Sequence, residues 1–384
     1  MKGIVCYAEW APKPEYKLDE YEKTTHKSKD SSKVWKNPQL KYETSLPVPE
    51  LADDEVLIKV KACGICGSDI HCLQTFEDGY MMFPGHGRMN IVLGHEFCGI
   101  AEKVGKDVKN VKPGDAVVVE EMGACGKCEN CKNGFPNQCS NLDEAGLTYN
   151  GGFAEYSIVK AHHLWSINAM EQAFGKEKMF TAGALIEPLS VVYNGLFSHD
   201  IPVLPGSYCA VFGCGPIGLM AVSMLKAVGV SKILAFDIVE DRRQLALKAG
   251  ATKAFDSSNI DIFETLMKET GGKGIDVLVE AAGVAHIVLP EASKALNCNA
   301  RIVAIGMGAK PASMNITTLQ QKHVKLTGSV GSAGHRNYEN VIRMLAAGVI
   351  DIKPFVSGEY GLADYENAFA AAKDGKSAKI LIKP

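Results

Sequence analysis

The first third of the chain alternates apolar and polar residues in short runs. Residues 56–62 (VLIKVKA), 100–104 and 116–120 carry the period of two that a half-buried strand requires, divided by Gly, Pro and Asp turns. From about residue 191 the pattern changes. Apolar runs at 209–213, 233–237, 277–281, 301–305 and 324–327 alternate with amphipathic stretches such as 242–249 and 262–270. That succession predicts an α/β region in which helices cover both faces of a parallel sheet. Beyond residue 334 the pattern predicts one helix over 338–347, then short segments ending at 378–382. Residues 11–45 follow neither period. Rich in Lys, Glu, Ser and Thr, they read as an extended loop or insertion, for which Trp10, Tyr16 and Trp35 offer anchors.

Composition narrows this picture. A chain of 384 residues exceeds one ordinary core, so two domains are expected. A formal net charge of −3 gives no reason to expect nucleic acid or an anionic membrane as partner. The N-terminal stretch turns polar within a dozen residues and lacks the apolar run of a secretion signal. The one long apolar run, 208–225, is broken by Gly213–Cys–Gly215–Pro216 and reads as strand, turn and helix, not as a membrane span. A cytoplasmic protein is therefore expected, and its twelve cysteines argue against a disulfide framework. Eight of the twelve fall between Cys63 and Cys139, which points to metal binding.

The most specific motif is Cys125–Gly–Lys–Cys128–Glu–Asn–Cys131, followed by Cys139. One loop with this spacing can wrap three thiolates around an ion, and a fourth closes the tetrahedron of a structural zinc with no open position for chemistry. A second constellation comprises Cys66–Gly–Ser68–Asp69–Ile–His71, Gly94–His95–Glu96 and Ile186–Glu187–Pro188. Catalytic zinc needs about three protein ligands and a vacancy, which Cys66, His95 and one or both of Glu96 and Glu187 supply.

The third motif, Gly213–Cys–Gly215–Pro216–Ile217–Gly218, fits Gly-x-Gly-x-x-Gly, of which about 0.4 chance matches are expected in such a chain. Context gives it weight. An apolar strand precedes it, a helical stretch over 217–228 follows, and Asp237 ends the next strand about 20 residues beyond the last glycine. The glycines allow pyrophosphate to approach a helix N-terminus. Asp237 would accept hydrogen bonds from the ribose hydroxyls and repel a 2′-phosphate, favouring NAD over NADP, a preference that Arg242 and Arg243 soften. Ala282, Gly306 and Ser329 lie at successive strand ends, where the nicotinamide half is expected.

In this order the motifs resemble those of zinc-containing medium-chain dehydrogenases, over nearly the whole chain, and most nearly the polyol, threonine and inosose dehydrogenase branch. The resemblance implies a GroES-like β-rich catalytic domain (1–190), a doubly wound Rossmann domain (191–333) and a return to the first domain (334–384). It implies one catalytic and one structural zinc per chain, and a homo-oligomer, tetramer or dimer. Cys66 and His95 match catalytic-zinc ligands; Glu96 binds directly in several relatives, while Glu187 stands where alcohol dehydrogenases carry a cysteine. Ser68 matches the hydroxyl that first takes the substrate proton, His71 the histidine that passes it to solvent, and Asp69 the carboxylate that orients the zinc-bound histidine. Arg242 falls where relatives pack an arginine on the adenine.

The implied reaction interconverts a secondary alcohol and a ketone on a polyol, cyclitol or sugar-type substrate. Cys72 stands where sorbitol dehydrogenases usually carry an aromatic residue, whereas residues 8–18 and 32–35 resemble the extended N-terminus of inosose dehydrogenases, an insertion that either covers the cleft or lies at the periphery. L-Threonine 3-dehydrogenase and sorbitol dehydrogenase are the alternatives within the class. A zinc- and NAD-binding regulator would not need Ser68 and His71, nor a zinc-free quinone reductase Cys66 and His95. Cys63, Cys72 and Cys98 read as packing thiols. His162 and His163, adjacent on an expected strand, would face opposite ways. His86, between Gly85 and Gly87, could line the substrate cleft but is not expected to be a ligand.

Overall fold

The alternation around residue 60 produces the strand Glu55–Gly64, the spine of a seven-stranded sheet. In this computed structural model, residues 1–198, 203–308, 310–332 and 334–384 are described. Along the sheet lie Leu164–Ser166, Ala116–Val119, Glu96–Val104, Glu55–Gly64, Lys379–Lys383 and Val356–Gly361, with Tyr156–Lys160 also paired to Glu55–Gly64. The inward residues Ile58, Val60, Phe97, Phe153 and Ile382 form the core of this first unit, which comprises Met1–Glu187, Gly358–Lys373 and Lys379–Pro384.

The stretch 11–45 is more ordered than its composition implies. Glu20–Thr25 is a helix whose N-cap Asp19 and Glu22 form a capping box. Trp35–Glu43 is a strand, antiparallel to Gly3–Trp10, which in turn pairs with Ile91–Val92. Its burial alternates between half-buried and exposed positions, so the strand has no apolar stripe for a pattern reading to find. The three aromatics are anchors: Trp10 meets Trp35 edge-on at 5.0 Å, and the Tyr16 hydroxyl donates to Glu22 Oε1 at 2.8 Å.

The second unit, Pro188–Ser357 with Asp374–Ala378, is built on a six-stranded parallel sheet. Its order is Lys253–Phe255, Lys232–Phe236, Tyr208–Phe212, Ile275–Glu280, Leu296–Ala304, Lys325–Gly328. Numbered along the chain this is 3-2-1-4-5-6, the doubly wound arrangement. Phe212, Phe236 and Phe255 stack across three adjacent strands. Lys253–Phe255 escaped the sequence reading because it has three residues and an exposed lysine. The helix Asn337–Ala346, expected in the returning segment, belongs to this unit by its contacts: Asn337 Oδ1 accepts from Ser198 and Asn340 Nδ2 donates to Tyr193. Among the described residues no helix is long and apolar enough to cross a membrane.

Candidate active site

Cys125, Cys128, Cys131 and Cys139 converge at the four-residue helix Glu129–Lys132, which Cys128 precedes as N-cap. Their four sulfurs lie within 4.8 Å of one another, with Cys128 3.4 Å from Cys131 and 3.9 Å from Cys139. Thiolates about 2.3 Å from a tetrahedral zinc stand about 3.8 Å apart, so the spacing fits that ion. Backbone amides already serve anionic sulfur here: Cys125 N–H donates to Cys139 Sγ, Cys128 N–H to Cys125 Sγ and Asn141 N–H to Cys139 Sγ. Amides of Cys131 and Ser140 hold the Cys128 thiol down at about 6. All twelve cysteines are unpaired. Cys128→Ser is expected to remove one metal ion per chain and lower Tm by on the order of 5–10 °C, because metal binding here would be folding energy. Elemental analysis with a thermal melt checks this; unchanged metal content would refute it.

The second constellation assembles where the starts of two elements of the first unit meet. Cys66 caps the helix Gly67–Leu73, His95 directly precedes the strand Glu96–Val104, and Glu96 opens it. Ligand atoms of Cys66, His95 and Glu96 lie within 4.8 Å of one another. Glu96 Oε2 is buried with no hydrogen-bond partner among the described residues, and a Cβ on Gly64 would overlap it. A thiol, an imidazole and a spare carboxylate oxygen suit zinc. Glu96 Oε1 is already engaged: it accepts from Lys379 Nζ at 2.6 Å, and the two side chains are only 1% and 3% exposed. Lys379 Nζ also donates to the Ile65 carbonyl.

Asp69, fully buried, touches both neighbours. Its Oδ2 accepts from Cys66 N–H at 2.9 Å, while Oδ1 faces His95 Nδ1 at 3.7 Å, beyond hydrogen-bond reach. Burial opposes a charged His95, but Asp69 and Cys66 beside it outweigh that and hold its pKa well above the ordinary value. Ser68 Oγ stands 3.4 Å from His95 Nε2. His71, three residues on and exposed, meets Gln74 Oε1 at 3.1 Å through Nδ1. Glu187 is buried on Ile186–Phe197, yet it is not among the atoms that converge with Cys66, His95 and Glu96. Burial, then the charges of Glu121 and Glu96, push its carboxyl well above the usual range.

In the second unit the glycine motif turns from Tyr208–Phe212 into the helix Pro216–Ala227. Gly213 has φ +90°, and a Cβ there would stand 2.7 Å from that of Ala282. A Cβ on Gly218 would overlap the Gly213 carbonyl, whereas one on Gly215 would meet only Arg242 Nη1, at 4.0 Å. Open space beside Gly215, at a helix N-terminus with Pro216 in its first turn, fits a pyrophosphate. Asp237 accepts from Cys214 N–H at 2.7 Å and Val239 N–H at 2.9 Å, one amide on each oxygen, leaving lone pairs for ribose hydroxyls. Arg243 is taken by Glu240 and the Asp237 carbonyl, while buried Arg242 Nε has no partner among the described residues. Gly306 N–H donates to the Glu280 carbonyl, Ser329 N–H to the Ala304 carbonyl, and Ser329 Oγ accepts from Asn194.

Comparison with known proteins follows this division of labour. The alcohol dehydrogenase GroES-like domain family matches residues 52–169, and the zinc-binding dehydrogenase family matches residues 216–347. The chain belongs to the zinc-binding dehydrogenases. It is 36% identical over 360 residues to scyllo-inosose 3-dehydrogenase of Thermotoga maritima, covering 91% of each chain. It is 33% identical over 342 residues to an L-threonine 3-dehydrogenase of Bacillus velezensis, covering 88% of this chain and 94% of the relative. A solved Thermotoga maritima structure superposes with a TM-score of 0.95 at 33% identity, over 100% of both chains. Structures from Sinorhizobium meliloti (26% identity, 93% and 98% covered) and Escherichia coli (25%, 100% of both), each with TM-score 0.77, were solved with NADP and NADH. The chain is accordingly a zinc-dependent, nicotinamide-linked oxidoreductase of the alcohol dehydrogenase class.

Several residues of this dehydrogenase escaped the sequence reading. Lys379 is one; its signal was a lysine opening the apolar strand KILIK, where it is buried. Glu121 and Glu144, both buried near the histidine and glutamates, carry no motif. His162 and His163 require a correction: they sit on the 3₁₀ turn Ala161–His163, not on a strand, and their rings are 4.1 Å apart. Burial, then the His162 charge, holds His163 down at about 4. Cys63, Cys72 and Cys98 of the dehydrogenase are fully buried, and burial raises all three thiols. His86 joins no metal-capable group among the described residues.

Proposed function

We propose that this dehydrogenase interconverts a secondary alcohol and a ketone on a cyclitol or related polyol, with NAD preferred over NADP. The observation that carries the reading is the chemistry of the walls near Cys66 and His95. Besides Glu96, which Lys379 engages, Glu121, Glu144 and Glu187 are buried there. Carboxylates accept hydrogen bonds from several hydroxyls at once. The likeness to scyllo-inosose 3-dehydrogenase over nine-tenths of both chains supports the same class. Threonine, by contrast, would bring its carboxylate toward an acidic wall.

Cys66, His95 and Glu96 would hold the catalytic zinc, with Glu187 outside the immediate ligand set, and the four-cysteine lobe a second, structural zinc. When bound, the catalytic ion supplies positive charge that makes an alcohol proton acidic. Ser68 would accept that proton through Oγ and hand it on to His71, one helical turn away on the same face and open to solvent. Asp69 accepts from the Cys66 amide, and its Oδ1, 3.7 Å from His95 Nδ1, would orient that ring by its charge. A bound nicotinamide would supply the hydride acceptor, so that one alcohol would give one ketone, one reduced cofactor and one proton. In the second unit Gly213, Gly215, Pro216, Ile217 and Gly218 would cradle the pyrophosphate and Arg242 would face the adenosine half. Asp237 would exclude a 2′-phosphate, and Ala282, Gly306 and Ser329 would border the nicotinamide.

The test is a panel of inositols, inososes, sorbitol, glucose and threonine with each cofactor, on wild type and Asp237→Ser. Cyclitols should lead with NAD, and Asp237→Ser should raise the NADP-to-NAD ratio by about tenfold, the value of one lost repulsion of about 1.4 kcal/mol. Threonine turnover without polyol turnover would sink the substrate assignment. The chain is further proposed to act as a homo-oligomer in the cytoplasm. Lys325–Gly328 is an edge strand with Leu326 exposed and Ile316 exposed nearby in sequence, and unpaired cysteines suit a reducing compartment. Light scattering should return a dimer or tetramer; a monomer at micromolar concentration would refute the assembly.

A further inference from the structure

One carboxylate of that acidic wall belongs to no metal-capable cluster among the described residues. Glu144 belongs to the two-residue strand Asp143–Glu144, paired with Met122–Gly123. Neighbouring side chains on a strand point opposite ways. Asp143 turns outward and takes Lys27 Nζ at 2.5 Å, while Glu144 turns inward and is 8% exposed. No hydrogen bond to its carboxylate is found among the described residues, although it feels the charge of His95. Its oxygens are not among the fully enclosed unpartnered atoms, so the carboxylate keeps some open space in which a ligand hydroxyl can donate to it.

Three contacts fix where Glu144 stands. Gly146, two residues on, has φ +82°; a Cβ there would overlap the Gly94 carbonyl and come 2.9 Å from His95 N. The loop carrying Glu144 is thereby pressed against the backbone of a candidate metal ligand. From the other side, Thr148 Oγ1 accepts from Glu144 N–H at 2.7 Å and donates to Asp143 Oδ1 at 2.7 Å. Lys27, from the segment 11–45, completes that relay through Asp143.

We propose that Glu144 is a specificity-determining residue that accepts hydrogen bonds from substrate hydroxyls other than the one being oxidised, and that Lys27 is a positioning residue acting on it through Asp143 and Thr148. This rests on the polyol reading above. It also gives the N-terminal segment a role: a salt bridge at the rim holds the strand whose inner residue reads the substrate. Two oxygens with four lone pairs suit a vicinal diol.

The test compares myo-inositol with cyclohexanol, a ring of the same size that lacks the additional hydroxyls, using NAD and wild type, Glu144→Gln, Glu144→Ala and Lys27→Ala. The inositol-to-cyclohexanol ratio of kcat/KM should fall about tenfold to a hundredfold in Glu144→Ala, as expected for lost hydrogen bonds to a charged group. Glu144→Gln, which keeps shape and one acceptor, should fall less. In Lys27→Ala the loss should appear in KM for inositol with its kcat retained, a split that general loosening of the fold would not give. An unchanged ratio in both Glu144 variants overturns this inference alone. Wild type that oxidises cyclohexanol and no polyol overturns it together with the polyol reading.

Discussion

Cys66→Ser should abolish turnover, by on the order of 10³-fold or more, while leaving the chain folded. A bound Lewis acid contributes several kcal/mol to stabilising the developing negative oxygen, and each 1.36 kcal/mol is a factor of ten. Serine cannot replace the thiolate, because its hydroxyl stays protonated near neutrality and is a poor zinc ligand. The fold should persist: Cys66 is only half-buried, and the hydrogen bond that its N–H donates to Asp69 Oδ2 does not involve the thiol. The expected signature is a variant with one metal ion per chain against two proposed for wild type, and a melting curve close to wild type. Turnover within tenfold of wild type would mean that the chemistry lies elsewhere.

Lys379→Met should cost about 3–5 kcal/mol of stability, the usual result of stripping one partner from a buried ion pair. In the metal-free protein Glu96 Oε1 would lose Lys379 Nζ, its ion-pair partner among the described residues, while staying buried. The pair itself is not the gain. Removing both charges, as in Lys379→Met with Glu96→Gln, should recover most of the loss, because the desolvation penalty disappears with the attraction. Urea unfolding of the single and double variants checks this. A single variant within about 0.5 kcal/mol of wild type would show that Glu96 does not carry a buried charge.

Chemistry written in contiguous sequence was legible. Four cysteines within fifteen residues, and three glycines followed by Asp237, announce themselves because their partners are local. The doubly wound sheet was legible for the same reason, since its long central strands are apolar and evenly spaced. What stayed hidden depended on distant or weakly patterned contacts. Lys379 lies 283 residues from Glu96, and no local rule links them. Glu144 sits on a strand of two residues, too short for any periodicity. Trp35–Glu43 owes its conformation to pairing with Gly3–Trp10, not to an apolar face of its own. His162 and His163 lie on a three-residue turn that Leu164 N–H closes by donating to the Ala161 carbonyl, too short for any periodicity to separate it from the strands on either side.

The strand Lys379–Lys383 pairs with Glu55–Gly64 across an interval that contains the whole second unit. On the ribosome, Lys379 emerges some 315 residues after Gly64, a delay of roughly 15–60 s at 5–20 residues per second. Throughout that time the nascent first unit has an unfinished sheet edge and a glutamate without its lysine. Folding of the first unit therefore finishes last although its synthesis begins first, and a translational pause anywhere in the second unit prolongs the exposure. For producing the protein, the speed of translation across residues 188–357 should matter more to yield than the codons of the catalytic motifs themselves.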